Sequence, residues 1–173
     1  GQSAIVDAVY TAVNYVAEHN KAVPGRRKAV LLITDGEDRL SSYKAEKLID
    51  LLRKQQVQVF VLGFTLDLDD APVPTKTSPR EKAENLLKSI AEESGGRAFF
   101  PRNDKQLMNA TLQFVSDLAK QFRVTYQSSS IDDPKKTFRK VEVKVTSPDG
   151  DKRTAIVPRG YNVQAKPMDT KSP

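Results

Sequence analysis

The chain of 173 residues has no cysteine, no tryptophan, two methionines and a single histidine, His19. Without cysteine there is no disulfide framework, no thiolate zinc site and no cysteine nucleophile. One histidine gives no plausible catalytic triad, and neither a nucleophile elbow nor a phosphate-cradling glycine loop occurs, so an enzyme is not expected. Long apolar runs are missing too. None approaches the roughly 20 residues that cross a bilayer, and none has the build of a signal peptide, so no membrane span is expected.

Hydrophobic residues make up 38% of the chain and charged ones 29%, the balance of a soluble globular protein. The length suits one ordinary domain with a small appendage and allows a core that needs no covalent staple. The formal charge of +6 is unevenly spread. Residues 1–120 hold 17 Lys+Arg against 16 Asp+Glu, and residues 121–173 hold 11 against 6. The basic character belongs to the C-terminal part. Nucleic-acid binding there stands only as a lesser alternative, because no known nucleic-acid motif frames Tyr126 or Phe138, which read as core.

Apolar residues at Ala4, Ile5, Ala8, Val9, Ala12, Val13, Val16 and Ala17 predict an amphipathic helix ending near Asn20. The unbroken run Ala29–Ile33, stopped by Asp35-Gly36, predicts a strand buried on both faces. A helix from about Ser42 follows, then a second apolar strand from Val57 to Phe64. Residues 65–77 are a loop whose Asp67, Asp69 and Asp70 only superficially resemble a calcium site. Ser78-Pro79-Arg80-Glu81 carries the signature of a capping box, and Gly95-Gly96 that of a left-handed helix stop. A short strand over 97–100 precedes a helix capped by Asn103, with Leu107, Thr111, Phe114 and Leu118 inward. His19, at a helix end, complements the dipole.

This alternation makes residues 1–120 α/β with a parallel, Rossmann-like sheet and flanking helices. After Lys120 the period becomes two: Phe122, Val124 and Tyr126, then Val141, Val143 and Val145, then Ala155 and Val157 beyond a Pro148-Asp149-Gly150 turn. Residues 121–161 therefore read as an antiparallel β-extension with a solvated face of Lys140, Glu142 and Lys144. Residues 162–173 read as a disordered tail.

Leu31-Leu32-Ile33-Thr34-Asp35-Gly36-Glu37-Asp38 resembles a strand and metal-site loop of von Willebrand factor type A (VWA) domains. Gly1-Gln2-Ser3-Ala4-Ile5-Val6-Asp7-Ala8 is similar to the loop that carries that family's metal-binding threonine, with Ser3 at its place. Residues 92–101 resemble the helix-to-last-strand junction of bacterial VWA proteins, and residues 138–145 and 158–161 the C-terminal strand pair of a VWA-related group common in acidobacteria. The likeness covers residues 1–161. It implies a protein-interaction or adhesion module with a metal-ion-dependent adhesion site holding Mg²⁺ or Mn²⁺, which captures an acidic side chain of a protein partner. By this resemblance the metal ligands are Ser3 and Asp35, with Glu37 and Asp38 ordering water nearby.

One departure is large. The family's Asp-x-Ser-x-Ser loop, and the strands that precede it, have no counterpart here, since Ser128-Ser129-Ser130 lacks the leading aspartate. The chain is thus read as a partial VWA domain with an incomplete site, whose cation binding is expected to be weak or absent. Plainer readings stand beside this one. Ser3 can be a helix cap, Asp35-Gly36 a simple turn, Glu37 and Asp38 solvated, and the whole a scaffold without metal chemistry. In the family the 29–34 strand has a neighbour on its other side, so its edge here is expected to favour self-association. The resemblance also implies export to the periplasm or the extracellular space.

Overall fold

The first helix forms because its apolar residues recur every three or four positions, so they line one side of a 3.6-residue turn. In the computed structural model, which describes residues 3–19, 27–68, 77–122, 124, 126, 138–150 and 152–162, α1 (Ile5–His19) buries Ile5, Val6, Val9, Val13 and Ala17. The chain then alternates β1 (Ala29–Thr34), α2 (Ala45–Gln55), β2 (Gln58–Gly63), α3 (Pro79–Ser94), β3 (Ala98–Phe99) and α4 (Asp104–Ala119). The three strands form a parallel sheet in the order β1-β2-β3, with Leu31 opposite Phe60 and Val61 opposite Ala98. Asn20, Asp69, Asp70, Ser128–Ser130 and residues 163–173 lie outside the described residues.

Alternation along the strands sends Val59 and Val61 to one face, into a core shared with α1, α2 and α3. Val30 and Leu32 pack against the same core. Phe60 points to the other face, where Phe114 of α4 meets it edge-on at 5.1 Å between centroids. Leu31 and Ile33 share that second face but remain 44% and 61% exposed. This corrects the expectation of a strand buried on both sides. Only β2 fits that description, because β1 is an edge among the described residues and α4 covers β2 instead. On α4, Leu107, Phe114 and Leu118 are half-buried as expected, but Ala110 rather than the exposed Thr111 is the buried residue between them.

Helix ends follow local chemistry. The Ser78 hydroxyl accepts from the Glu81 amide at 3.1 Å with Pro79 at the first turn, and Asn103 accepts from Gln106 at 2.9 Å. Each such cap is worth about 1 kcal/mol. Gly95 ends α3 in the left-handed region (φ 77°), and the Gly96 amide reaches back to the Ala91 carbonyl at 2.9 Å. A side chain at Gly96 would begin 2.0 Å from the Val59 carbonyl oxygen. That glycine lets α3 turn directly onto β2. α2 starts at Ala45 rather than Ser42: Lys44 is extended (φ −79°, ψ 150°), and the Ser42 and Tyr43 amides before it go to the Asp7 carboxylate.

The C-terminal strands are shorter than the alternation predicts. β4 (Phe138–Lys140) pairs antiparallel with β7 (Gly160–Asn162), and β5 (Val145–Thr146) with β6 (Lys152–Arg153) around a turn closed by Gly150 N–H to Ser147 O at 2.9 Å. Residues 141–144 and 154–158 carry no strand. Val143 and Val145 are exposed, so no buried face holds a longer register, and Pro158 has no amide to give a ladder. Phe122 is 93% exposed, and Phe122, Val124 and Tyr126 are not strand residues. Tyr126 is exposed rather than core, and its hydroxyl is hydrogen-bonded with Tyr161 of β7, which raises its pKa above 10.0.

The extension packs on α2 and α3. The Arg53 guanidinium lies 4.2 Å from the centre of the Phe138 ring and binds the buried Glu93 carboxylate at 2.9 Å. Arg159 bonds to both Glu92 and Glu93, and Pro158 sits where a side chain at Gly95 would be. This docking lies at the amino end of β2. Among the described residues the extension makes no contact at the carboxyl end of the sheet.

Candidate functional site

Open α/β sheets bind ligands beyond the carboxyl ends of their strands, where loops gather polar groups on a rigid base. Three segments meet at that end here. The first is the start of α1. The second is the 35–44 loop, which leaves β1. The third is the 64–68 loop, which leaves β2.

The first two are joined through hydrogen bonds. The Ser3 carbonyl accepts from the amides of Arg39 and Leu40 at 2.9 and 3.1 Å. The Ile5 amide donates to Asp38 Oδ1 at 2.8 Å, and Ser41 Oγ donates to the same oxygen at 2.6 Å. The Asp7 amide donates to Ser41 Oγ at 3.2 Å. In return the Asp7 carboxylate accepts from Ser42 N–H at 2.9 Å on Oδ2 and from Tyr43 N–H at 2.8 Å on Oδ1. Those two bonds, Ser42's first, hold the Asp7 carboxyl below its ordinary pKa because they stabilise the charged form.

The third segment is fixed by α3. Arg80 donates to the carbonyls of Thr65, Leu66 and Leu68 at 3.1, 2.7 and 2.9 Å, and the Thr65 hydroxyl donates to Glu84 at 3.1 Å. Gly36, at φ 93°, lies so close that an added Cβ would be 2.9 Å from the Thr65 methyl. Only glycine allows both the left-handed turn and this approach.

Ser3 and the 35–40 loop therefore stand at one rim. Ser3 is half-buried and Asp35 exposed. Asp35 Oδ1 accepts from the Glu37 amide at 3.3 Å, and its other oxygen has no hydrogen bond among the described residues. Glu37 pairs with Arg39, and Asp38 is bound to Ile5 and Ser41. Asp38, not Ser3, thus meets the first helical amide of α1. Sequence reasoning missed Asp7 and Ser41. Neither lies on an apolar stripe, and the only signal was an acidic residue in the first turn of a helix.

As a cation site these residues offer two places in a shell. Mg²⁺ takes about six oxygen ligands, several of them waters. Ser3 and Asp35 suit that chemistry as a hydroxyl and a carboxylate, but among the described residues no three Asp, Glu or His side chains gather at ligating distance. The two residues fit part of a site and do not make a cage. His19 is remote in role. Its Nδ1 meets the Tyr15 carbonyl at 3.0 Å, and its ring stacks on Tyr15. Among the described residues no helix is long and apolar enough to cross a membrane.

The chain is 27% identical over 95 residues to ATP-dependent DNA helicase II subunit 2 of Aspergillus oryzae and to that of Aspergillus sojae. The match takes in 53% of this chain but only 13% of those much longer proteins. Among solved structures it is similar to BatB of Bacteroides thetaiotaomicron (TM-score 0.46, 24% identity, 66% of this chain and 60% of that one). It is also similar to an aerotolerance-related membrane protein of Bacteroides fragilis (TM-score 0.43, 23% identity, 62% and 58%). Residues 1–113 match the profile of the von Willebrand factor type A domain. With an α/β order, a parallel sheet and a rim built from the Ser3 and Asp35 loops, the chain belongs to the von Willebrand factor type A domain family.

Proposed function

We propose that the chain is a protein-binding module whose partner docks at the rim formed by the start of α1 and the 35–44 loop. Domains of this family commonly mediate protein–protein interactions and are generally not enzymes. The observation that carries the reading is the pair of bonds from Arg39 and Leu40 to the Ser3 carbonyl, which hold the Ser3 and Asp35 segments at one rim. Ser3 and Asp35 supply two oxygen ligands toward Mg²⁺ or Mn²⁺, and the remaining donors come from outside this pair. A cation there supplies positive charge with an open position for an acidic side chain of the partner. The module works outside the cytoplasm, in the periplasm or the extracellular space.

Mn²⁺ is paramagnetic, so it broadens NMR signals of nearby amides. At millimolar Mn²⁺ the Ser3 and Gly36–Asp38 amides are expected to broaden first, and Asp35→Ala is expected to abolish this selectivity. Equal broadening at unrelated acids such as Glu46 or Asp104 would leave a scaffold without metal chemistry. A second reading, self-association, is favoured by the exposed Leu31 and Ile33 on the edge strand β1. Met108, Leu112 and Val115 are also exposed along one stripe of α4. A second copy pairing along β1 would continue the sheet.

A further inference from the structure

We infer that Asp7 and Asp38 are positioning residues of the rim, a reciprocal clasp that fixes the 35–44 loop on α1 before any ligand arrives. The inference rests on the docking reading for its purpose, but its geometry is independent of any cation or partner. Asp38 lies on the loop and grips the helix, by accepting from Ile5 N–H. Asp7 lies on the helix and grips the loop, by accepting from Ser42 and Tyr43 N–H. Ser41 links the two, donating to Asp38 and accepting from the Asp7 amide. Beyond the polar part, the Tyr43 ring lies against that of Tyr10, with centroids 4.3 Å apart and planes tilted by 32°, and Lys47 sits 4.3 Å from the Tyr43 centre.

The contacts are spread along both segments. Ser3, Ile5, Asp7 and Tyr10 of the first meet residues 39–40, 38, 41–43 and 43 of the second. A loop of this length carrying Asp35 would otherwise sample many conformations, and a ligand would bear the ordering cost on binding. Here two carboxylates take that role. Each satisfies amides that the helix start or the loop turn leaves open. Neither carboxylate is needed to touch a ligand.

The two aspartates differ in how their oxygens are used, and this yields a test. Asp38 uses Oδ1 for both of its donors, so asparagine can replace it. Asp7 uses one oxygen for each amide, so asparagine keeps only one bond. Amide hydrogen exchange on the full chain, with no metal added, reads this directly. Asp7→Ala is expected to lower protection of the Ser42 and Tyr43 amides about tenfold, the loss of one charged hydrogen bond each. Asp7→Asn is expected to lower only one of them. Asp38→Ala is expected to expose Ile5, and Asp38→Asn to restore it. Core amides such as Leu87 and Ile90 should keep their protection, which separates loop release from global unfolding. Unchanged exchange at 5, 42 and 43 in both alanine variants, or Asp38→Asn behaving as Asp38→Ala, would overturn the clasp. Failure of the Mn²⁺ experiment would instead sink the cation reading and leave the clasp intact.

Discussion

Glu93 is the point where the C-terminal extension is tied to the α/β body, and its removal gives the sharpest test of the packing. Its side chain is 6% exposed, and its carboxylate takes Arg53 at 2.9 Å and Arg159 at 3.4 Å. Arg53 is itself 23% exposed and stacked on Phe138, so its guanidinium cannot turn freely to water when the carboxylate is lost. Breaking such a buried pair from one side costs about 2–4 kcal/mol, most of it the guanidinium charge left with only the exposed Asp50 carboxylate 4.0 Å away. Arg159 is 54% exposed, so Arg159→Ala should cost under about 1 kcal/mol even though it touches both Glu92 and Glu93. Without tryptophan the natural probe is far-ultraviolet circular dichroism during urea or thermal unfolding. For a chain of this length Glu93→Ala should lower Tm by roughly 4–16 °C at about 2–4 °C per kcal/mol. The Arg53→Ala, Glu93→Ala double variant should be milder than the sum of the singles, because removing both leaves no buried charge. If Glu93→Ala costs less than about 0.5 kcal/mol, or Arg159→Ala costs as much as Glu93→Ala, the extension is not held in this way.

Two further outcomes follow from the rim and the edge. The Asp7 carboxyl has a folded pKa below its unfolded value, so its stabilisation is present at neutral pH and is lost as pH falls through the folded value. An NMR titration should put its midpoint below about 3.9, and Asp7→Asn should lose less stability than the native chain between neutral and acid pH. A midpoint at or above that of free aspartate would contradict the two amide bonds. Along β1, replacing Leu31 and Ile33 with lysine should suppress any concentration-dependent association seen in light scattering, as charged edges do. A native chain that stays monodisperse and monomeric at high concentration would refute self-association.

Much of the frame is visible in the sequence because it rests on short-range rules. The caps at Ser78 and Asn103, the glycine stop at 95–96 and the apolar period of α1 are each specified within a few residues. What was not visible depends on partners far along the chain. Ala29–Thr34 has the composition of a central strand, yet its exposure is decided by where α4 lies, about 75 residues on. The extended segment before α2 is held by Asp7, whose bonds to Ser42 and Tyr43 span 35 and 36 positions. In the extension, alternation alone overstated the strands. A period of two predicts pairing only where one face has something to pack against, and Val143 and Val145 have little.

The same distinction bears on which rim residue could decide binding. By type and spacing Asp7, Asp35, Glu37 and Asp38 look alike, four acids close to a sheet end. Structure separates them by what their oxygens already do. Asp7 and Asp38 are occupied with amides across the clasp, and Glu37 is turned to Arg39. Asp35 is exposed, stands on a loop held from both sides, and has one oxygen without a hydrogen bond among the described residues. A carboxylate that is fixed but not satisfied is the group at which a cation or a partner's polar side chain gains most, since the ordering cost is already met and no internal bond must break. Substitution of Asp35 should therefore alter binding while sparing stability, and substitution of Asp7 should first loosen the loop.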